Sequence, residues 1–124
     1  MTELRTEQAE DLPGITVDPK KGFIEMVGKS LPEDAMVFFL PVEQAIKDYI
    51  ASPKQETTID LRLEYMNSSS QKRVVEILML FDELKKVGLT VTINWHYPED
   101  DDDILEEGKD LERMLKFHIN FISY

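Results

Sequence analysis

The chain has 124 residues, no cysteine and a formal net charge of −11, from 25 acidic and 14 basic side chains. That length suits one domain around a single core, and without cysteine there are no disulfides, zinc–thiolate centres or thiol nucleophiles. The acidity argues against nucleic acid or an anionic membrane as a partner, because phosphates are held by neutralising cations, and no apolar run approaches the ~20 residues needed to cross a bilayer.

Residues 1–13 are polar and aperiodic and are expected to form a flexible leader ahead of one domain at 14–124. The opening Met1-Thr2-Glu3-Leu4-Arg5 lacks the basic-then-apolar layout of a secretory signal, so a cytoplasmic protein is expected. Ile15-Thr16-Val17 and Phe23 to Val27 read as a hairpin around Asp18-Pro19-Lys20-Lys21-Gly22. A helix should follow, with Pro32 at its first position and Glu33-Asp34 complementing the dipole. Pro41 should kink or restart it, leaving Val42 to Ala51 as the better-defined part, stopped at Ser52-Pro53.

Three stretches then alternate with period two. Ile59, Leu61, Leu63 and Tyr65 oppose Asp60, Arg62 and Glu64; Leu89, Val91, Ile93 and Trp95 oppose Thr90, Thr92, Asn94 and His96; Phe117, Ile119 and Phe121 oppose His118 and Asn120. Helices are expected between them, from about Ser69 to Val87, closed by Gly88, and from Asp102 to Leu115. A sheet buried on both faces would show continuous apolar runs. One polar face per strand instead predicts an α/β fold, a mixed sheet of about five strands with helices on one side only and parallel pairing among the later strands.

The strand-to-helix turn at Asn67-Ser68-Ser69-Ser70-Gln71-Lys72-Arg73 is the leading candidate site. One of its hydroxyls can cap the helix, for about 1 kcal/mol. But one cap needs one hydroxyl, and Lys72 and Arg73 oppose the macrodipole in the first turn. Cations there make sense where an anion visits, either bound noncovalently or attached as a phosphoryl group to a serine.

The acidic run Glu99 to Asp103, with Glu106 and Glu107, lacks the alternating ligands, glycine and final glutamate of an EF-hand loop. It reads as a solvated helix start. The alternative is a docking surface for a cationic partner formed by Asp101, Asp102, Asp103 and Glu107, with Tyr97 at the strand end. His96 and His118 have no partners at metal-ligand spacing. No phosphate loop, nucleophile elbow or acid/base pair is present, so neither catalysis nor a metal or cofactor is expected.

Gly28-Lys29-Ser30-Leu31-Pro32-Glu33, Phe38-Phe39-Leu40-Pro41-Val42, Tyr65-Met66-Asn67-Ser68-Ser69-Ser70-Gln71-Lys72, Trp95-His96-Tyr97 and the acidic segment from Asp102 to Gly108 together resemble the SiaC family of bacterial regulatory phosphoproteins, over residues 14–122. The resemblance implies a fold similar to the STAS domain of anti-anti-sigma factors and a partner-switching role without enzymatic activity. It implies a kinase with a histidine-kinase-like ATP-binding fold, a metal-dependent serine/threonine phosphatase, and an effector such as a diguanylate cyclase that the unphosphorylated form activates, raising cyclic-di-GMP and promoting biofilm. The family's phosphorylated threonine lies in an Asn-Thr-Ser-Ser segment and aligns with Ser68. Asn67, Ser69, Ser70, Lys72 and Arg73 would surround the phosphate.

Overall fold

The computed structural model of the chain describes residues 3–115 and 117–124. Six strands form one sheet in chain order: β1 (Leu4–Arg5), β2 (Gly14–Asp18), β3 (Phe23–Ser30), β4 (Glu56–Met66), β5 (Thr90–Tyr97) and β6 (Ile119–Ser123). β1, β2 and β3 pair antiparallel, and β3 through β6 pair parallel. The connections carry α1 (Ala35–Ala51), α2 (Ser68–Met79) with the short α3 (Asp82–Lys86), and α4 (Asp102–Leu115). Each parallel crossover moves one strand in the same direction. Crossovers of one hand therefore leave every helix on the same face.

Burial follows the strand periodicity. Ile15, Val17, Ile24, Met26, Ile59 and Leu61 are fully buried beneath the helices. On the opposite face Asp60, Asn94 and Asn120 stand side by side on neighbouring strands. There Asn94 Nδ2 donates to Asp60 Oδ1 at 2.8 Å and Asn120 Nδ2 to Asn94 Oδ1 at 3.1 Å. His96 Nε2 lies 3.6 Å from the same Asp60 oxygen.

The structure departs from the expected elements in four places. The sixth strand comes from the leader: Leu4 and Arg5 pair with Val17 and Thr16, while Thr6 Oγ1 accepts from the Ile15 amide at 2.8 Å. Residues 1 and 2 of that leader lie outside the described residues. In α1, Asp34 is the N-cap, its carboxylate accepting from the Val37 amide at 3.1 Å. Pro32 thus precedes the helix, and the helix runs unbroken through Pro41. Pro41 lies on the solvent side, where a lost backbone bond is eased by water, while Phe39 and Val42 anchor the turn in the core.

The third departure is a bulge. Gly28 pairs with Leu63 but Lys29 pairs with Tyr65, so Glu64 is an extra residue in β4. Beyond it the alternation inverts, leaving Tyr65 51% exposed and burying Met66. The fourth is the split between α2 and α3. The Leu80 and Phe81 amides reach Ile77 and Leu78 carbonyls, a tighter turn that ends α2 and brings Phe81 fully into the core.

Candidate functional site

The turn after β4 is tied down before any serine is reached. The Asn67 amide donates to the Ser30 carbonyl at the end of β3, at 3.0 Å. The Asn67 side chain is the N-cap of α2, Oδ1 accepting from the Ser70 amide at 2.9 Å. None of the three serines therefore caps the helix; asparagine does.

The three hydroxyls occupy different environments. Ser70 is fully buried and shares a 2.8 Å hydrogen bond with Ser30 Oγ, itself fully buried. Ser69 is exposed, and its hydroxyl donates to Asn67 Oδ1 at 3.2 Å. Ser68 is exposed at the first position of α2, and among the described residues its hydroxyl has no hydrogen-bond partner. Geometry separates hydroxyls that composition makes equivalent.

The two cations also diverge. Arg73 is mostly buried and pairs with Glu76 at 3.1 Å, so its charge is already answered within α2. Lys72 is exposed, with no ion-pair partner among the described residues. Ser68, Gln71, Lys72, Val75, Glu76 and Met114 line a shallow groove of about 320 Å³ between α2 and α4. Val75 and Met114 give this groove an apolar wall. The spacing Ser68, Lys72, Val75, Met79 marks one outward face of α2, and Met79 is exposed at its far end. That spacing was readable in the sequence, but the contribution of Met114 from α4 was not.

The residues of the acidic segment do not act alike. Asp101 Oδ1 accepts from the Ile104 amide at 3.0 Å and the Leu105 amide reaches the Asp101 carbonyl, so this carboxylate is engaged in starting α4. Asp102 and Asp103 are exposed in the first turn, where the dipole favours them. Glu107 is half-buried, and that burial, followed by the nearby Asp110 charge, holds its carboxyl above the usual carboxylate range. Tyr97 is half-buried against the core at the end of β5, its carbonyl accepting from the Tyr124 amide at 2.9 Å. Because β4 and β5 are adjacent and parallel, the serine turn and the acidic segment leave the sheet at the same end. That is where sites gather in sheets of this type.

Residues 6–124 match the family described as SiaC family regulatory phosphoprotein. An uncharacterised protein of Pseudomonas aeruginosa (strain UCBPP-PA14) is 29% identical over 117 residues, covering 94% of this chain and 93% of the relative. The crystal structure of apo-SiaC from Pseudomonas aeruginosa superimposes with a TM-score of 0.89 at 28% identity, covering 99% of this chain and 100% of that one. A chain in the crystal structure of the diguanylate cyclase SiaD in complex with its activator SiaC, from the same organism, gives a TM-score of 0.90 at 27% identity, covering 98% and 99%.

Proposed function

Since the chain belongs to the SiaC family of regulatory phosphoproteins, we propose that it is a non-enzymatic partner switch whose regulatory phosphate is carried by Ser68. One observation carries the assignment: of three adjacent hydroxyls, only Ser68 is both exposed and free of an internal hydrogen bond. A kinase transfers the γ-phosphoryl group of ATP to Ser68 Oγ, ADP leaves, and the hydroxyl proton passes to a base of the kinase. The product dianion sits at the positive end of α2 with Lys72 one turn away. A serine/threonine phosphatase reverses the step.

The unphosphorylated form, in this reading, binds and activates an effector in the cytoplasm. By analogy with the relative described as an activator of the diguanylate cyclase SiaD, the effector class is a diguanylate cyclase. An effector covering the serine turn desolvates it. A dianion there loses its hydration without gaining a full counter-charge, so phosphorylation releases the effector. The pairing of Arg73 with Glu76 weighs against the alternative of a noncovalent anion site at residues 67–73, because it leaves Lys72 as the one available cation of the pair.

Two measurements test this. Treatment with the cognate kinase and ATP, followed by mass spectrometry, should place the phosphate on Ser68 and leave a Ser68→Ala variant unmodified. Phosphate on Ser69, or undiminished labelling of the variant, rejects the site. Ser68→Asp should weaken binding to the cyclase by at least about tenfold, while Ser68→Ala binds like the parent chain. Equal affinities for the two variants reject the charge switch.

A further inference from the structure

At the opposite end of the sheet, two turns gather lysines that nothing in the switch uses. Lys20 and Lys21 lie between β2 and β3, Lys54 lies between α1 and β4, and all three line one concavity of about 480 Å³ with Gln55, Glu56 and Thr58. Unlike Lys47, Arg73, Lys86 and Arg113, none of the three has an ion-pair partner among the described residues. In a chain of net charge −11, three such cations around one hollow make a local positive cluster.

The turns that carry them are locked together. Asp18 Oδ1 accepts from the Lys20 and Lys21 amides at 3.1 and 3.3 Å. Gly22 has φ +63, and a Cβ on it would come within 2.7 Å of the Glu56 carbonyl and 2.9 Å of the Tyr49 hydroxyl. That hydroxyl bonds Thr57 Oγ1 at 2.6 Å and accepts from the Lys54 amide at 3.2 Å. The Thr58 amide closes the join on the Gly22 carbonyl at 2.9 Å. The lysine stems thus start from fixed points, which lowers the ordering cost of converging on a ligand.

We propose that this hollow, lined by Lys20, Lys21 and Lys54, is a binding site for a small polyphosphate anion. Lysine ammoniums act as point charges suited to phosphate oxygens, and the three outnumber the two carboxylates beside them, Glu56 in the lining and Asp18 under the Lys20–Lys21 turn. Size selects a small anion over an acidic protein. At physiological salt, charges beyond about 8 Å are screened, so a small ligand senses only this lysine-rich hollow, whereas a large acidic partner meets the acidic remainder of the surface. The site is separate from the serine turn: β4 spans its 11 residues between them, roughly 30 Å at the usual strand rise.

The test is an amide chemical-shift titration of the 15N-labelled chain at fixed ionic strength, with sodium triphosphate, ATP and adenosine as probes. Triphosphate should give saturable shifts confined to residues 18–22 and 54–58. Joint Lys20→Gln, Lys21→Gln and Lys54→Gln substitution should weaken binding at least about tenfold, with an unchanged spectrum elsewhere. Equal affinity for triphosphate and ATP identifies a phosphate chain as the ligand, and tighter ATP binding identifies a nucleotide; both support the site. No saturation, shifts centred on residues 67–73, unchanged affinity in the triple variant, or adenosine binding as tightly as ATP overturns it.

Discussion

Small residues decide what the serine turn exposes. Asn67 takes the capping role, Ser70 is drawn into the core by Ser30, and Ser68 is left at the surface. Removing the Ser70 hydroxyl leaves the buried Ser30 oxygen without its partner. Ser70→Ala should therefore lower unfolding free energy by about 1–3 kcal/mol in urea melts, with kinase labelling retained. Gly108 works in the same way on α4, where a Cβ would fall 2.6 Å from the Trp95 ring. Gly108→Ala gains helix propensity but overpacks that contact, and should cost a net 1–3 kcal/mol or about that order. Glu107 sets a pH dependence. Its carboxyl is raised in the folded state, so its ionised form opposes folding above that raised value, and the penalty fades as pH falls through it towards the unfolded value. Glu107→Gln should melt above the parent chain at neutral pH, and the two melting curves should converge in acid.

At the scale of elements, the strands were legible because one wet face imposes strict alternation, as Asp60, Asn94 and Asn120 against Ile59, Ile93 and Ile119 show. The helix α4 was equally clear from its acidic start. What local pattern could not supply was anything decided by a distant strand. The extra residue Glu64 exists because β4 must realign with β3 beyond Gly28, so the expected inward position of Tyr65 passed to Met66. The break at Leu80 and Phe81 likewise answers to core volume. The same limit applies to the site: the three serines were identifiable as a turn, whereas the withdrawal of Ser70 into the core rests on Ser30, forty positions away. Pro41 within α1 adds a testable strain. Pro41→Ala restores an amide to a solvent-facing turn and should raise the melting temperature, since a proline inside a helix is disfavoured by up to about 3 kcal/mol.

For the molecule as a whole, the parallel strands separate its two charged ends. The serine turn and the acidic segment follow the carboxyl ends of β4 and β5, while the lysine turns precede β3 and β4 at the other end. The proposed docking at the serine turn would leave the lysine hollow open, so the two proposed sites should be able to be occupied together. The sheet edges are guarded by brevity, with a two-residue β1 and a five-residue β6, which limits strand addition by neighbouring chains.

The buried indole beneath α4 gives this protein an optical gauge of its own. Trp95 is the only tryptophan, fully buried, pressed against Gly108 and donating from Nε1 to the Ile104 carbonyl at 3.0 Å. A partner that levers α4 away from the sheet wets that ring and reddens its emission. One that settles on the serine turn without disturbing α4 leaves the colour unchanged, so unlabelled protein in a cuvette distinguishes the two modes of engagement.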